Sequence, residues 1–212
     1  MKKVIVLGKS DLSIKICKWF HYNNKYKLIC VIPVIPEPFW SESLVGWCIS
    51  NDIDYISSGN YNDISIDKLN NSDLVMSVFY DKIIKENFID KCKKIINLHN
   101  SPLPKYRGVS PINWALKNKE KEHGVTIHEI FPGIDNGNII SQLKYSIYPE
   151  FDEVIDVYNR SLEYGYVLFK NTIPFLWKIK PQKQEESEVI YYNRSQNYLL
   201  GDRKNFTKVE SK

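Results

Sequence analysis

The stretch IINLHNSPLPKYRG, residues Ile95–Gly108, carries an apolar strand into a loop rich in proline and glycine. Side chains two positions apart on a strand point to the same face. Asn97 and His99 therefore place a hydrogen-bond donor and a titratable imidazole on one face where the strand ends. The stretch predicts a catalytic pair followed by a rigid loop on which a substrate docks.

Strand-like and helix-like segments alternate through the first half of the chain. Strands are expected at Lys3–Leu7, Tyr26–Ile32, Asp73–Phe79 and Ile95–His99. This alternation indicates βαβ units with parallel strands. We therefore expect an α/β fold with a doubly wound, mostly parallel sheet and flanking helices. In such sheets, ligands bind beyond the carboxyl ends of the strands.

The sequence pattern predicts further helices and strands in the second half of the chain. They are a short helix at 111–119, a strand at 124–130, a turn at 135–137, a strand at 138–143 and a helix at 153–179. Pro174 predicts a kink or a break near the end of that helix. A charged stretch at 180–188 then precedes the apolar residues 189–192. The tail from Asn205 is polar and is expected to fray.

Length, charge and composition limit the classes of protein. The chain has 212 residues, of which 43% are hydrophobic, and its formal net charge is +4. So small an excess argues against a nucleic-acid-binding protein but allows an anionic small substrate. No apolar run approaches the roughly 20 residues of a membrane span. The N-terminal segment is too short for a signal peptide, so we expect a cytoplasmic protein that does not contact a membrane.

The cysteines and histidines do not have the spacing of metal sites. Cys17, Cys30, Cys48 and Cys92 form no Cys-x-x-Cys pair. No two of the four histidines stand four residues apart, as metal ligands on one helix face do. We expect reduced, mostly buried thiols and no metal ion.

Asp135 and two basic segments each have two interpretations. Asp135 is a candidate to orient His99, but Asp-Asn-Gly is also a common turn. Lys105-Tyr106-Arg107 suits either a solvated turn or a clamp for phosphate or carboxylate. Gly8-Lys9-Ser10 weakly resembles a phosphate loop before a helix N-terminus. It lacks both the glycine pattern of dinucleotide sites and the Walker pattern, so neither kind of site is supported.

Three sequence blocks, taken in order, resemble the folate-dependent formyltransferase family. The family pattern Asn-x-His-x-Ser-x-Leu-Pro and a following glycine match 97–104 and Gly108. Gly-Val-Thr matches 124–126, and Asp-x-Gly matches 135–137. Pro102 departs from the leucine or tyrosine of many members, which changes the shape of the loop rather than a functional group. The resemblance covers roughly residues 1–180.

This resemblance implies a Rossmann-like catalytic domain at 1–182, followed by a short C-terminal β-hairpin and tail at 183–212. It implies N10-formyltetrahydrofolate as the formyl donor, without a metal. It also implies a catalytic triad of Asn97, His99 and Asp135. The residues implied to bind the folate are Phe79, Tyr80, Lys82, Ile83, Ile84, Phe131, Gly133 and Ile134.

The segments around the triad predict the acceptor amine. Residues 105–114 and 190–195 are similar to the same segments of enzymes that formylate a nucleotide-linked aminodeoxy sugar. The product of such enzymes is a precursor of surface polysaccharide such as O-antigen. The residues implied to contact this substrate are Lys9, Ser10, Tyr106, Arg107 and Trp114, although Trp114 suits the core equally well. The apolar run 189–192 suggests a homodimer, as in similar enzymes.

Four alternatives stay open. A phosphoribosylglycinamide formyltransferase of purine synthesis has about this length, but its first turn is usually Gly-Ser-Asn where this chain has Gly8-Lys9-Ser10-Asp11. A methionyl-tRNA formyltransferase usually has a further C-terminal β-barrel, for which we expect too little chain after residue 180. A formyltetrahydrofolate hydrolase usually has an N-terminal regulatory domain. A non-catalytic binding module would show no turnover.

Overall fold

The structure, a computed structural model, describes residues 1–204, and the backbone alone for Lys204. Its contacts divide the chain into two compact units. The first unit is residues 1–98 with 129–132, and the second is residues 99–128 with the chain from Gly133 onward. The polar tail from Asn205 lies outside the described residues. The domain boundary expected after residue 182 stays a prediction.

The first unit is built on parallel strands with helices between them. Its elements are β1 (Lys2–Gly8), α1 (Ser10–Tyr22), β2 (Tyr26–Pro33), α2 (Leu44–Ser50), α3 (Ile66–Asn70), β3 (Leu74–Val78), α4 (Glu86–Ile89) and β4 (Ile95–His99). The strands pair in parallel in the order β2, β1, β3, β4. Every residue of β3 is buried, as expected for a parallel strand that is covered on both faces.

Helix α1 shows why the helices flank these strands. Its buried Leu12, Ile16 and Phe20 recur every four residues and so form one apolar face. The helix packs against β1 and β2. The mostly parallel α/β fold class with flanking helices is therefore confirmed.

The second unit carries the elements of the other half of the chain. They are β5 (Arg107–Gly108), α5 (Pro111–Lys117), β6 (Glu122–Glu129), β7 (Ile139–Ser146), α6 (Val154–Thr172) and β8 (Tyr191–Tyr192). β6 and β7 pair antiparallel, with Val125 opposite Leu143. A single 3-10 turn, Ile173–Phe175, follows α6. The break predicted at Pro174 is therefore confirmed.

The C-terminal strand is present, but its pairing differs from a hairpin. β8 pairs in parallel with β5, which sets Tyr191 beside Arg107 and Tyr192 beside Gly108. A hairpin needs two antiparallel strands that follow each other in sequence. Among residues 1–204, the C-terminal segment instead adds a short parallel strand to the loop that leaves β4.

The four cysteines are free thiols, as predicted. Three are buried and Cys92 is half-buried. Burial raises the pKa of Cys48 to about 12, so this thiol stays protonated. Within residues 1–204, no helix is both long and apolar enough to span a membrane.

Candidate active site

His99 ends β4, and both of its ring nitrogens face protein oxygens. Nε2 lies 3.1 Å from the carbonyl oxygen of Tyr106, and Nδ1 lies 3.5 Å from Oδ1 of Asp135. Because a carbonyl oxygen can only accept a hydrogen bond, Nε2 carries a hydrogen. Nδ1 is therefore the nitrogen that can gain or lose a proton, and it faces a carboxylate.

The Asp135 carboxylate is held at both of its oxygens. Oδ1 lies 3.5 Å from Nδ1 of His99 and 3.6 Å from Nε2 of His128. Oδ2 accepts a hydrogen bond of 2.9 Å from the backbone N–H of Gly108. The side chain keeps 15% of its surface exposed, so it retains contact with water. A carboxylate between two imidazoles can accept a proton and return it.

Thr126, from the Gly-Val-Thr block, holds the proline-rich loop in place. Its hydroxyl donates to the carbonyl oxygen of Ser101 at 2.7 Å and accepts from the backbone N–H of Leu103 at 3.2 Å. The side chain of Gln142 donates to the same hydroxyl at 2.9 Å and to the carbonyl oxygen of Leu103 at 2.7 Å. Two of the three sequence blocks are thus joined by buried hydrogen bonds.

Gly108 occupies a position that only glycine suits. Its φ is +95°, a conformation that side chains with a Cβ rarely adopt. A Cβ there would collide with the carbonyl oxygen of Tyr192 on β8. The absence of a side chain lets the C-terminal strand pass close by while the Gly108 N–H reaches Asp135.

Two side chains expected to contact the substrate lie inside the second unit instead. Tyr106 is 1% exposed, and its hydroxyl donates to Glu120 at 2.7 Å. Trp114 is 3% exposed and stacks on Tyr192 with ring centroids 3.8 Å apart. Large aromatic rings gain most when they are buried against each other. In this structure the two side chains brace the loop, and the core interpretation of Trp114 is the one that fits.

Arg107 is likewise engaged by the protein's own side chains. Its Nη2 lies 2.9 Å from Oε1 of Glu186, and its Nε donates to Oε1 of Gln184 at 3.0 Å. The guanidinium lowers the pKa of Glu186. An anionic substrate would therefore have to displace a carboxylate to reach Arg107, which the sequence alone did not indicate.

Three further residues of the predicted site belong to the first unit. Asn97 is half-buried on β4, opposite Ser77 of β3. Lys9 pairs with Asp81 at 3.4 Å. The Oγ of Ser10 is buried without a hydrogen-bond partner among the described atoms. Contact of Lys9 and Ser10 with a substrate stays a prediction.

The predicted folate segment after β3 divides into inward and outward side chains. The Tyr80 hydroxyl and the Lys82 ammonium both donate to the carbonyl oxygen of Gly59, at 2.7 and 2.9 Å. Burial raises the pKa of Tyr80 to about 12. Ile84 is buried in the core, whereas Ile83 is 67% exposed. The exposed Ile83 therefore offers apolar surface to a ligand.

The remaining folate candidates are Phe79, which follows β3, and Phe131, Gly133 and Ile134, which come just before Asp135 in the sequence. Phe79 has a left-handed backbone, with φ +54°. Phe131 and Ile134 are 39% and 38% exposed. Gly133 has φ +118°, which only glycine adopts without strain. The exposed apolar side chains suit a flat heterocycle, and contact with folate stays a prediction.

Sequence reasoning missed two residues that the structure places at Asp135. His128 follows Thr126 by two positions on β6, so strand alternation would have placed both on one face. Gln184 donates to the carbonyl oxygens of Asp135 and Gly137, both at 2.7 Å. No local pattern marks Gln184, because its partners are far away in sequence.

Comparisons with protein families and with known sequences find proteins similar to this chain. A family model described as "Formyl transferase" matches residues 56–173. A methionyl-tRNA formyltransferase from Finegoldia magna is 36% identical over 88% of this chain and 63% of its own length. A bifunctional polymyxin resistance protein, ArnA, from Wigglesworthia glossinidia brevipalpis is 40% identical over 51% of this chain. The chain spans only 16% of ArnA.

Solved structures resemble the whole fold. An N-formyltransferase from Helicobacter canadensis, in complex with folinic acid and dTDP-3-aminofucose, superimposes with a TM-score of 0.77. It is 30% identical, and the match covers 92% of this chain and 72% of that one. The family model covers more than half of the chain, and the three sequence blocks of the family meet around Asp135 and Thr126. The chain therefore belongs to the formyl transferase family.

Proposed function

We propose that this protein transfers the formyl group of N10-formyltetrahydrofolate to the amino group of a nucleotide-linked aminodeoxy sugar. The observation that carries the proposal is the Asp135 carboxylate beside His99, because an amine that is formylated must lose a proton. The similarity to the Helicobacter canadensis enzyme supports the choice of a folate donor and a nucleotide-sugar acceptor. The product would be a precursor of surface polysaccharide.

The residues of the predicted folate site are compatible with this donor. Exposed apolar side chains, Ile83 and Phe131, suit the flat faces of a pterin. When bound, N10-formyltetrahydrofolate supplies a formyl carbon that an amine can attack. The protein needs only to orient this group, stabilise charge and accept a proton, so no nucleophilic side chain is required.

The triad residues have separate roles in this proposal. The formyl oxygen gains negative charge during attack, and the side-chain amide of Asn97 donates a hydrogen bond to it. Loss of one such donor typically costs on the order of 100- to 1000-fold in rate. Asp135 accepts the amine proton, directly or through water, and shares it with Nδ1 of His99. The bond between N10 and the formyl carbon breaks, and the proton passes to N10 of the departing tetrahydrofolate. In its protonated form, His99 adds positive charge near the developing oxyanion.

The test is a comparison of acceptors with one donor. Purified protein is incubated with N10-formyltetrahydrofolate and dTDP-3-aminofucose, and the products are analysed by mass spectrometry. We expect the sugar to gain the mass of one formyl group as tetrahydrofolate appears. Formate release that does not depend on an amine would indicate a hydrolase. Turnover of phosphoribosylglycinamide alone would indicate the purine enzyme.

A second candidate is formylation of methionyl-tRNA. The 36% identity to the Finegoldia magna enzyme over 88% of this chain favours it. The same assay with charged initiator tRNA separates the two functions. A rate with methionyl-tRNA far above that with any amino sugar would overturn the sugar proposal but keep the formyl-transfer chemistry.

The proposal also includes a cytoplasmic homodimer. N10-formyltetrahydrofolate and nucleotide sugars are soluble cytoplasmic metabolites, and β8 leaves Tyr191 43% exposed beside the loop. Light scattering of the purified chain tests the oligomeric state. A mass equal to one chain at micromolar concentration would remove the dimer from the proposal.

A further inference from the structure

The side chain of Gln184 connects the C-terminal segment to the turn that carries Asp135. Gln184 is 4% exposed. Its Nε2 donates to the carbonyl oxygens of Asp135 and Gly137, both at 2.7 Å. Its Oε1 accepts from Nε of Arg107 at 3.0 Å. Both ends of the carboxamide are therefore used in a buried site.

The partners fix the orientation of this carboxamide. The two carbonyl oxygens can only accept, and Nε of Arg107 can only donate. A flipped amide would set its oxygen against two oxygens and its NH₂ against a guanidinium. The amide therefore has one acceptable orientation, which defines where the turn at 135–137 lies.

Arg107 closes the connection into a ring of contacts. It binds Gln184 through its side chain, and the next residue, Gly108, donates its backbone N–H to Oδ2 of Asp135 at 2.9 Å. Glu186 holds the far side of the guanidinium at 2.9 Å. The backbone and the carboxylate of Asp135 are thus anchored from the same short segment.

This ring supports a backbone conformation that needs support. Asp135 has φ +49°, a left-handed conformation that residues other than glycine adopt less readily and that surrounding contacts help to hold. We propose that Gln184 is a positioning residue, which sets the Asp135 carboxylate at its place between His99 and His128. The inference rests on the proposed formyl transfer for its kinetic consequence, but the positioning itself can be measured without turnover.

The test replaces Gln184 in the full chain and compares it with Gln182. Gln184→Met keeps the length of the side chain and removes both hydrogen-bonding ends. The control is Gln182→Met, the same change two residues earlier at an exposed side chain. Gln184→Asn, one methylene shorter, is the second variant if Gln184→Met does not fold by circular dichroism.

The first readout is the ¹⁵N NMR spectrum of the histidine rings. The chain has four histidines, which single substitutions assign. We expect Gln184→Met to shift the ring nitrogens of His99 and His128 and to leave those of His21 unchanged. Gln182→Met should leave all four unchanged. Unchanged signals of His99 and His128 in folded Gln184→Met would overturn the proposal.

The second readout is kinetic and uses whichever acceptor the wild type formylates. We expect kcat to fall on the order of 100-fold, since a misplacement of about 1 Å can cost that much. The KM values should stay unchanged, because Gln184 is buried and both ends of its carboxamide bind protein groups. A loss of the same size in kcat/KM that came only from a higher KM would overturn the positioning role. Absence of turnover in the wild type would contradict the proposed function, while the NMR result would still decide the role of Gln184.

Discussion

The two ends of β6 each bury a histidine, and the two differ in one neighbour. His123, near the start of the strand, is 0% exposed, and its Nε2 donates to the carbonyl oxygen of Asn100 at 3.0 Å. His128, near the end, is 2% exposed and lies 3.6 Å from the Asp135 carboxylate. Burial keeps the imidazole of His123 neutral, whereas His128 lies beside a carboxylate, a group that can accept a proton.

The physical consequence is clearest at His123. Burial lowers its pKa to about 4, because the interior disfavours the charged ring. Its Nδ1 has no hydrogen-bond partner among the described atoms. His123 is therefore a structural histidine, and the site at the other end of the strand depends on Asp135.

The largest effect should come from removing the carboxylate charge. Asp135→Asn keeps the size of the side chain and tolerates the left-handed backbone. It cannot accept a proton, so we expect kcat to fall on the order of 1000-fold. Steady-state rates with the formylated acceptor measure this. Asp52→Asn is the matched control, since Asp52 is exposed and has a similar φ of +52°. A normal rate in Asp135→Asn would remove Asp135 from the mechanism.

A smaller effect should separate the two ends of the strand directly. His128→Phe keeps an aromatic ring but leaves Asp135 without one polar neighbour. Loss of the ring nitrogen 3.6 Å from the carboxylate changes the polar surroundings of Asp135, so we expect kcat to fall roughly tenfold, which corresponds to about 1.4 kcal/mol. His123→Phe, the same change at the other end, should retain the wild-type kcat at pH 7. Equal losses in the two variants would contradict the distinction.

Local patterns in the sequence predict a large part of this arrangement. β4 has the predicted bounds because an apolar run ends at polar His99, and Asp135 lies near His99 as the family pattern implies. α2 begins at Leu44, since the Ser43 hydroxyl accepts the N–H of Gly46 and caps the helix there. In the sequence, Ser43 is only one of several residues that could cap the start of this helix.

Long-range packing explains what the sequence could not predict. Tyr106 and Trp114 look like loop and helix residues that face a substrate, but the β8 strand covers them. Trp114 stacks on Tyr192 with the ring planes 4° apart. Gln184 reaches Asp135 from a charged stretch that has no strand or helix pattern. These contacts depend on how distant segments meet, which no local period encodes.

The pH dependence of stability should report His123. Its folded pKa of about 4 lies below the unfolded value of 6.5. As the pH falls below 6.5, the unfolded chain binds a proton at His123 before the folded protein does. The free energy of unfolding that is present above pH 6.5 therefore decreases steadily until about pH 4. At pH 5 the loss should be about 2 kcal/mol, from 1.36 kcal/mol for each unit of difference. Urea unfolding at pH 7 and pH 5 measures it.

The comparison with a non-titrating ring isolates this contribution from the carboxylates. His123→Phe should lose about 2 kcal/mol less than the wild type between pH 7 and pH 5. The new phenyl ring should pack against Tyr106 and Tyr145 as the imidazole does, since the ring centroid of His123 lies 6.3 and 6.0 Å from theirs. An identical pH dependence in the two proteins would show that burial does not hold His123 neutral.

The smallest effect should come from the histidine that is not buried. His21 lies exposed in the last turn of α1, and its ring is perpendicular to those of Tyr22 and Trp47, with centroids 4.7 and 6.2 Å away. His21→Phe keeps these ring contacts, so we expect the free energy of unfolding to change by about 0.5 kcal/mol or less at both pH 7 and pH 5. Urea unfolding measures it beside His123→Phe. A pH-dependent change at His21 as large as that at His123 would mean that burial is not what distinguishes the histidines, and the contrast between the two ends of β6 would then lose its physical basis.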